Sequence, residues 1–398
     1  MKKLLIIGAG FLQSFVIKKA KTMGYEVLTV DADVNAIGFD YADKHEVINI
    51  VDEQACLEYA QKEKIDGVLT VATDYGVLTT AYIAQEMGLS GLDYKTAKLI
   101  KNKYRVHQCL LQNRVDDTAQ TYEIDRNCNI VNLQEEIMYP VMVKPCDGSG
   151  SNGANRVDAI KELQEACHLA MDASLTSKAI IEPFIEGKEY GAESLVVNGE
   201  IHVLAIMKKQ MTLPPHYAEL GHAIPCDLPY EVEQKAKQCV KKAIQALRIN
   251  FGSVNMDVLI TKEGNIHIID VGARMGGNMI GSHIIPYGTG IDYMAEIICS
   301  ALGEKNDFKK MPSGTVATKL LAFNSGVVVD IPNIQEIEKM YGVEIYHHLK
   351  VGEKIRQYKT NLDGCGYIIA KANSVNEAEE KVENAFEHLN KVLFGRNA

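Results

Sequence analysis

The sequence predicts a multidomain protein that combines an α/β layer with α+β regions, and three observations carry that expectation. The chain has 398 residues, enough for two or three domains. Residues 1–95 alternate short apolar runs with helical spacing, the mark of parallel βαβ units. Beyond residue 96 hairpin signals replace that alternation, with Asn198-Gly199 the strongest turn.

The elements follow in order. Residues 3–7 are a continuous apolar run ending at Gly8-Ala9-Gly10, a buried first strand. Helical spacing runs over 11–23 and stops at Gly24. Strands are expected at 26–30, 47–50 and 67–71, with helices at 53–62 and 75–87. A charged amphipathic helix over 96–113 opens the next region. Strands at 118–124 and 140–144, a glycine-rich loop at 145–153 and a strand at 179–182 come after it. Residues 189–197 and 200–208 flank Asn198-Gly199, 231–247 is a helix, and 252–270 is a second hairpin. A helix over 291–302 closes this stretch. From Gly314 the pattern restarts with a strand over 315–323, the Asp363-Gly364-Cys365-Gly366 turn, a strand over 367–370 and a helix over 375–393. No internal repeat or low-complexity segment occurs, so solenoid folds drop out.

Composition narrows the function classes. Hydrophobic residues make up 46% and charged residues 24%, an ordinary globular balance. The net charge of −10, without a long Lys/Arg run, argues against a nucleic-acid partner. Nine cysteines at irregular spacing, with no C-x-x-C pair, read as reduced thiols rather than a disulfide frame or a zinc site. The apolar start is interrupted by Gly8 and Gly10 and followed by Lys18 and Lys19, unlike a signal peptide. No stretch has the apolar length of a membrane span. The expectation is a cytoplasmic protein with no membrane partner.

The most informative local feature is the stretch from Val254 to Asp270. If Glu263-Gly264 is the turn, Asp257 lies opposite Asp270; if Gly264-Asn265 is the turn, Asp270 lies opposite Leu259. Side chains alternate with period two, so both registers put Asp257 and Asp270 on one face, and only an odd-length loop separates them. Facing carboxylates repel. A divalent cation removes that cost, and Mg²⁺ favours one or two carboxylates completed by water and phosphate oxygens. The bland alternative is one Asp ending a strand in water. A glycine-rich loop follows at once and carries Arg274, placed beside a metal-bound phosphate.

A second strand ends on Lys144, and the loop after it holds Gly148, Ser149, Gly150, Ser151 and Gly153. Backbone N–H groups of such a loop wrap phosphate oxygens, and the lysine adds a point charge. No Gly-Lys-Ser/Thr ends it, so it is no Walker loop. Residues 180–190 read as strand, linker and strand. Such a linker exposes backbone groups to an adenine edge, and Glu189 offers an acceptor to ribose hydroxyls.

Taken in order, these motifs resemble the ATP-grasp superfamily over essentially the whole chain. The resemblance implies a Rossmann-like pre-ATP-grasp domain at 1–95, a two-lobed ATP-grasp domain at 96–305 with its mobile lobe at 118–187, and a small α+β C-terminal domain at 306–398, similar to purine-biosynthesis and biotin-carboxylase-like members. Lys103 matches the family's first phosphate-binding lysine and Lys144 the second, while 148–153 matches the loop that closes over the phosphates. Glu182, Phe184 and Ile185 match the adenine hinge, Glu189 the ribose acid, Asp257 and Asp270 the metal ligands, and Arg274 the arginine beside the reacting phosphoryl group. The implied activity is that of an ADP-forming ligase using ATP and Mg²⁺ or Mn²⁺. It phosphorylates a carboxylate to an acylphosphate, which an amine then attacks, with two cations on the phosphates. The substrates are small molecules, and a homodimer is the assembly implied.

This sequence departs from the family pattern in two places. The second metal ligand is Asp270 where Glu is usual, and Gly272 stands where the family often has a metal-binding Asn. Either Asn278 or water substitutes, or a second metal is held more weakly. For the acceptor, the candidates are the Gly8–Gly10 loop, Asp74, Lys208, Glu219 and His222. Three other readings compete. A purine-pathway phosphoribosylglycinamide-type synthetase needs a phosphate pocket in the N-terminal half. An NAD(P)-dependent oxidoreductase would use Gly8, Gly10 and Asp31, about 20 residues on, yet Gln13 holds the third glycine position. A non-catalytic nucleotide-binding module is argued for only by Gly272.

Overall fold

Strands Lys44–Val47, Glu26–Asp31, Lys3–Ile7 and Gly67–Thr70 lie side by side in that order and all run parallel. The computed structural model describes residues 1–116, 121–128, 130–133, 136–148, 150–213 and 217–395. Leu4 to Ile7 are fully buried, as a strand covered on both faces requires. The third strand lies three residues before the expected 47–50. It is an exposed edge of Lys44, His45 and Glu46, so its charge hides it, while the apolar Ile48 and Ile50 pack beyond its end.

The helix expected over 96–113 is two helices, Tyr94–Ile100 and Lys103–Gln112. Asn102 breaks the run: its side chain accepts from the Arg105 N–H at 2.9 Å and caps the second helix. That break puts Lys103 in the first helical turn, where its N–H donates to the Cys146 carbonyl at 2.8 Å.

A small antiparallel sheet follows, ordered Tyr122–Ile124, Ala179–Pro183, Val141–Pro145 and Asn155–Val157. Helix Ile160–Ala173 covers it with Leu163, Ala166, Cys167, Ala170 and Met171, one helical face by spacing. The start of the strand expected at 118–124 lies outside the described residues.

The large sheet has eight antiparallel strands, ordered Ile266–Gly272, Gly252–Ile260, Lys188–Val197, Glu200–Met211, Glu219–Ile224, Thr315–Leu320, Gly366–Ala372 and Val343–His347. Asn198 and Gly199 both take positive φ, 50° and 78°, as a type I′ hairpin turn requires. Strands beyond residue 305 join this sheet through Ala223↔Ala317, so it is continuous across the expected boundary. Helix Tyr230–Ala246 covers one part and the terminal helix Val375–Leu393 another. The parallel layer is tied to the loop after Gly272, where the Ala72 N–H donates to the Met275 carbonyl at 3.0 Å. No helix among the described residues is long and apolar enough to cross a membrane, and all nine cysteines are free.

Candidate functional site

A cavity of about 690 Å³ opens where the parallel layer, the small sheet and the large sheet meet. Sixteen of the residues singled out from the sequence line it: Asp74, Lys103, Lys144, Gly148, Gly150, Ser151, Glu182, Phe184, Ile185, Glu189, Glu219, His222, Asp257, Asp270, Arg274 and Asn278. Gly153 and Lys208 do not, and Ser149 lies outside the described residues.

The carboxylate hairpin reaches its geometry by a route the sequence did not suggest. Its loop is odd: the Thr261 N–H donates to the Asn265 carbonyl at 3.0 Å around Lys262, Glu263 and Gly264, with Gly264 at φ 83°. Neither two-residue turn forms. Beside the loop Leu259 pairs with His267 and Ile260 with Ile266, a register that, continued, sets Asp257 against Ile269 and turns Asp270 to the other face. A bulge corrects it. Ile269 is the extra residue between the pairs Val258↔Ile268 and Asp257↔Asp270, so the two carboxylates end directly opposite each other. The bulged Ile269 carbonyl accepts from Lys144 Nζ at 3.0 Å.

Each carboxylate holds an ammonium. Lys103 Nζ is 2.5 Å from Asp270, and the Val271 N–H also donates to Asp270 at 2.9 Å. Burial raises the Asp270 pKa, but Lys103 and Lys144 outweigh it and hold the carboxyl well below its usual range. Lys144 Nζ is 2.7 Å from Glu182, whose other oxygen is 3.2 Å from His107 Nε2. Burial works against the Lys144 charge, yet Glu182, Asp270 and Glu189 keep its pKa above the ordinary lysine value. Glu182 thus lies against Lys144 at the wall of the cavity. Both aspartate side chains keep part of their surface free, 25% for Asp257 and 35% for Asp270. No group of three His, Cys, Asp or Glu among the described residues is set to hold a metal. Two facing carboxylates with free oxygens fit a magnesium ion that takes its remaining ligands from phosphate and water.

Lys208 points away from the cavity and pairs with Glu379 at 2.6 Å. Strand alternation gives the site its neighbour Lys209 instead, opposite His222. Lys209 Nζ lies 2.7 Å from Asp257, 2.8 Å from Glu219 and 3.4 Å from Glu189, with 1% of its side chain exposed. Burial opposes its charge, but these carboxylates raise its pKa well above the usual value. Glu219 also accepts from the Asn278 side-chain amide, whose oxygen accepts from Tyr367 O–H at 3.0 Å. His222 is 2% exposed, and burial pushes its pKa down to about 4, so it is neutral.

Arg274 is held on two sides. Its Nη2 is 2.9 Å from Asp74 of the parallel layer, and its Nη1 donates to Asn255 at 3.2 Å. Asn255 in turn donates to Glu193 at 2.9 Å, and Glu193 also accepts from the Gly276 N–H at 3.0 Å and Tyr293 O–H at 2.8 Å. Asn255 stands two residues before Asp257, so strand period alone places it on the same face; Lys209 and Glu193 need the register of three strands. The Lys101 ammonium, also unforeseen, donates to the Asp74 carbonyl at 3.4 Å, and burial lowers its pKa.

The glycine-rich loop has Gly150, Ser151 and Gly153 at positive φ, 66°, 61° and 74°. Ser151 O–H donates to the Tyr217 carbonyl at 3.1 Å. In the hinge the Phe184 N–H donates to the Pro140 carbonyl at 3.0 Å, and Arg156 lies 4.3 Å from the Phe184 ring centre. The Gly8–Gly10 loop does not line the cavity: its Ala9 N–H donates to Asp31 at 2.8 Å, and Gln13 packs against Gly8.

Residues 137–282 match the model of the ATP-grasp domain, and residues 319–393 match that of the L-amino acid ligase C-terminal domain 2. The chain is 23% identical over 401 residues to a formate-dependent phosphoribosylglycinamide formyltransferase of Sulfurisphaera tokodaii, with 96% of each chain covered. It is 22% identical over 276 residues to an L-arginine-specific L-amino acid ligase of Bacillus subtilis, covering 68% of this chain and 66% of that one. The solved structure of an L-amino acid ligase from Bacillus licheniformis superposes with a TM-score of 0.84 at 25% identity, covering 97% of each chain.

Proposed function

We propose, from the premise that this chain is an ATP-dependent, ADP-forming carboxylate–amine ligase with an ATP-grasp domain, that its substrates are amino acids or short peptides. The observation that carries the reading is the gathering of Asp257, Asp270 and Arg274 from one hairpin and its loop in a single cavity with Lys103 and Lys144. The amino-acid class rests on the match at 319–393, since Asn361 and Tyr367 from that range line the same cavity.

Bound Mg²⁺ would sit on Asp257 and Asp270 and supply charge neutralisation at the phosphates. Lys103 and Lys144 bind phosphate oxygens from either side. Arg274 keeps 15% of its side chain exposed, and its hydrogen bonds to Asp74 and Asn255 use two of its five N–H groups. Three N–H groups are therefore left over, one on each nitrogen, for the transferring phosphoryl group and then the acylphosphate oxygen. The neutral His222 imidazole, beside Glu219, lines the cavity and is available to hydrogen-bond the acceptor. Gly150 and Ser151 cover the phosphates, and excluding water protects the acylphosphate from hydrolysis.

A phosphoribosylamine-type substrate is the second reading, favoured by the full-length likeness to the Sulfurisphaera protein. The Asp31 carboxylate on the Ala9 amide argues against a phosphate at the N-terminal glycine loop. The test is phosphate release from Mg·ATP by the purified protein against amino acids, dipeptides and phosphoribosylamine-type substrates, with Asp257→Asn as control. ADP and phosphate formed only with an amino-acid pair, and lost in the variant, is the expected outcome. Turnover only with a phosphoribosyl substrate would establish the second reading instead.

A further inference from the structure

Three features beside the carboxylate pair concern how many cations it can serve. The first is Gly272, two residues beyond Asp270. Any side chain there meets an occupied volume: a Cβ would lie 2.9 Å from an Asp74 oxygen and 3.1 Å and 3.3 Å from the Arg274 guanidinium. The Arg274–Asp74 ion pair fills the space that a third protein ligand from this strand would need.

The second is that the nearby amide oxygens are already taken. Asn278 accepts from Tyr367 O–H through its oxygen and donates to Glu219 through its nitrogen. The Asn255 oxygen accepts from Arg274, and its nitrogen donates to Glu193. Neither can turn toward a metal without stripping a partner of its hydrogen bond, and a polar group left unsatisfied away from water is destabilising. Asn278 therefore does not substitute for the missing ligand at position 272.

The third is Lys209. Its ammonium sits among Asp257, Glu219 and Glu189, a set of oxygens that a bare cation would otherwise occupy. Lys209 lies on a strand paired on both sides: it sits opposite His222 of the Glu219–Ile224 strand, its neighbour Lys208 pairs with Tyr190 of the Lys188–Val197 strand, and its side chain is almost wholly buried. A tethered charge in that position has no solvent to withdraw into, and a second divalent ion would have to share its carboxylates with it.

We infer that this chain works with one divalent cation on Asp257 and Asp270, and that the Lys209 ammonium stands in for a second. The inference rests on the ligase reading above and deepens it.

The test counts metal directly. Mn²⁺ is titrated into the full-length protein saturated with a non-hydrolysable ATP analogue, and free Mn²⁺ is read by electron paramagnetic resonance. One Mn²⁺ per bound nucleotide is expected in the natural protein. Lys209→Met, which keeps the stem but removes the charge, should then take up a second. Two Mn²⁺ in the natural protein would overturn the inference while leaving the ligase reading intact, and so would a count of one in a folded Lys209→Met. The natural-protein count stands even if that variant does not fold. Failure of the analogue to bind at all would overturn the ligase reading, and this inference with it.

Discussion

Glu193 is fully buried and contributes no atom to the cavity, yet it decides how Arg274 is presented. Burial pushes its pKa up to about 7, against the opposing hydrogen bonds from Gly276, Asn255 and Tyr293. Once ionised, above about pH 7, it is acceptor-only and fixes the Asn255 amide with nitrogen inward, which leaves the Asn255 oxygen facing Arg274. Glu193→Gln presents a donor at one end. Its amide nitrogen would meet the Asn255 nitrogen, and the relief is a flip of Asn255 that turns a donor toward the Arg274 guanidinium. A hydrogen bond to a charged group contributes about 1.5–3 kcal/mol, so kcat should fall roughly 10- to 100-fold while KM for ATP stays near its natural value. Steady-state kinetics separate the two: an equal loss of ATP binding would show that the residue merely holds the fold. The reading of Lys208 as a site residue shows the same scale from the sequence side. Two adjacent lysines on one strand face opposite ways, and without the register nothing in Lys208-Lys209 says which one meets Asp257.

Elements were legible where a local signal closed them and illegible where tertiary contacts did. The Asn198-Gly199 hairpin and the terminal helix Val375–Leu393 fall where turn chemistry and 3.6-residue spacing put them. The Asp257–Asp270 pairing follows instead from two deviations that cancel in facing, an odd loop and the Ile269 bulge. A bulge has no composition of its own, so no reading of the sequence could separate this case from a plain two-residue turn. The helix over 96–113 failed for a readable reason, since Asn102 is a good N-cap inside an otherwise helical run. That break also belongs to the site. Asn102 caps the helix that begins with Lys103 and donates to Glu123 of the small sheet at 2.8 Å. Asn102→Ala should therefore cost about 1 kcal/mol of stability and weaken nucleotide binding. Asn102→Asp keeps the cap but sets a carboxylate against Glu123, so it should recover the stability in thermal unfolding without recovering the binding in a nucleotide titration. Equal recovery of both would mean that the tie to the small sheet is unimportant.

At the scale of the molecule, the candidate site belongs to no single region: Asp74 comes from the parallel layer, Lys144 from the small sheet, Asp257 from the large sheet and Tyr367 from the strands beyond residue 305. Motif order showed which pieces belong together, but the ties between regions were out of reach of spacing: Lys103 meets Asp270 across 167 positions and Arg274 meets Asp74 across 200. His283 marks one such junction. It packs between Phe15 of the first helix, at 5.2 Å between ring centres, and Tyr346 of the last-paired strand, at 5.0 Å, and shares hydrogen bonds with Ser282 and Tyr346 O–H. Burial pushes its pKa down to about 4; Glu344 works in the opposite direction and Lys371 in the same one. In the unfolded chain the imidazole titrates near 6.5. Between those values the unfolded state binds the proton and the folded state does not, so the His283 contribution is whole above about pH 6.5 and is lost as pH falls toward 4. The slope approaches about 1.4 kcal/mol per pH unit for one proton. His283→Asn retains a polar side chain but cannot titrate there. Unfolding in denaturant at stepped pH should show the natural protein losing its advantage over His283→Asn as the solution is acidified. A difference that stays constant across that range would mean that His283 is protonated alike in both states, and that the junction tolerates the charge.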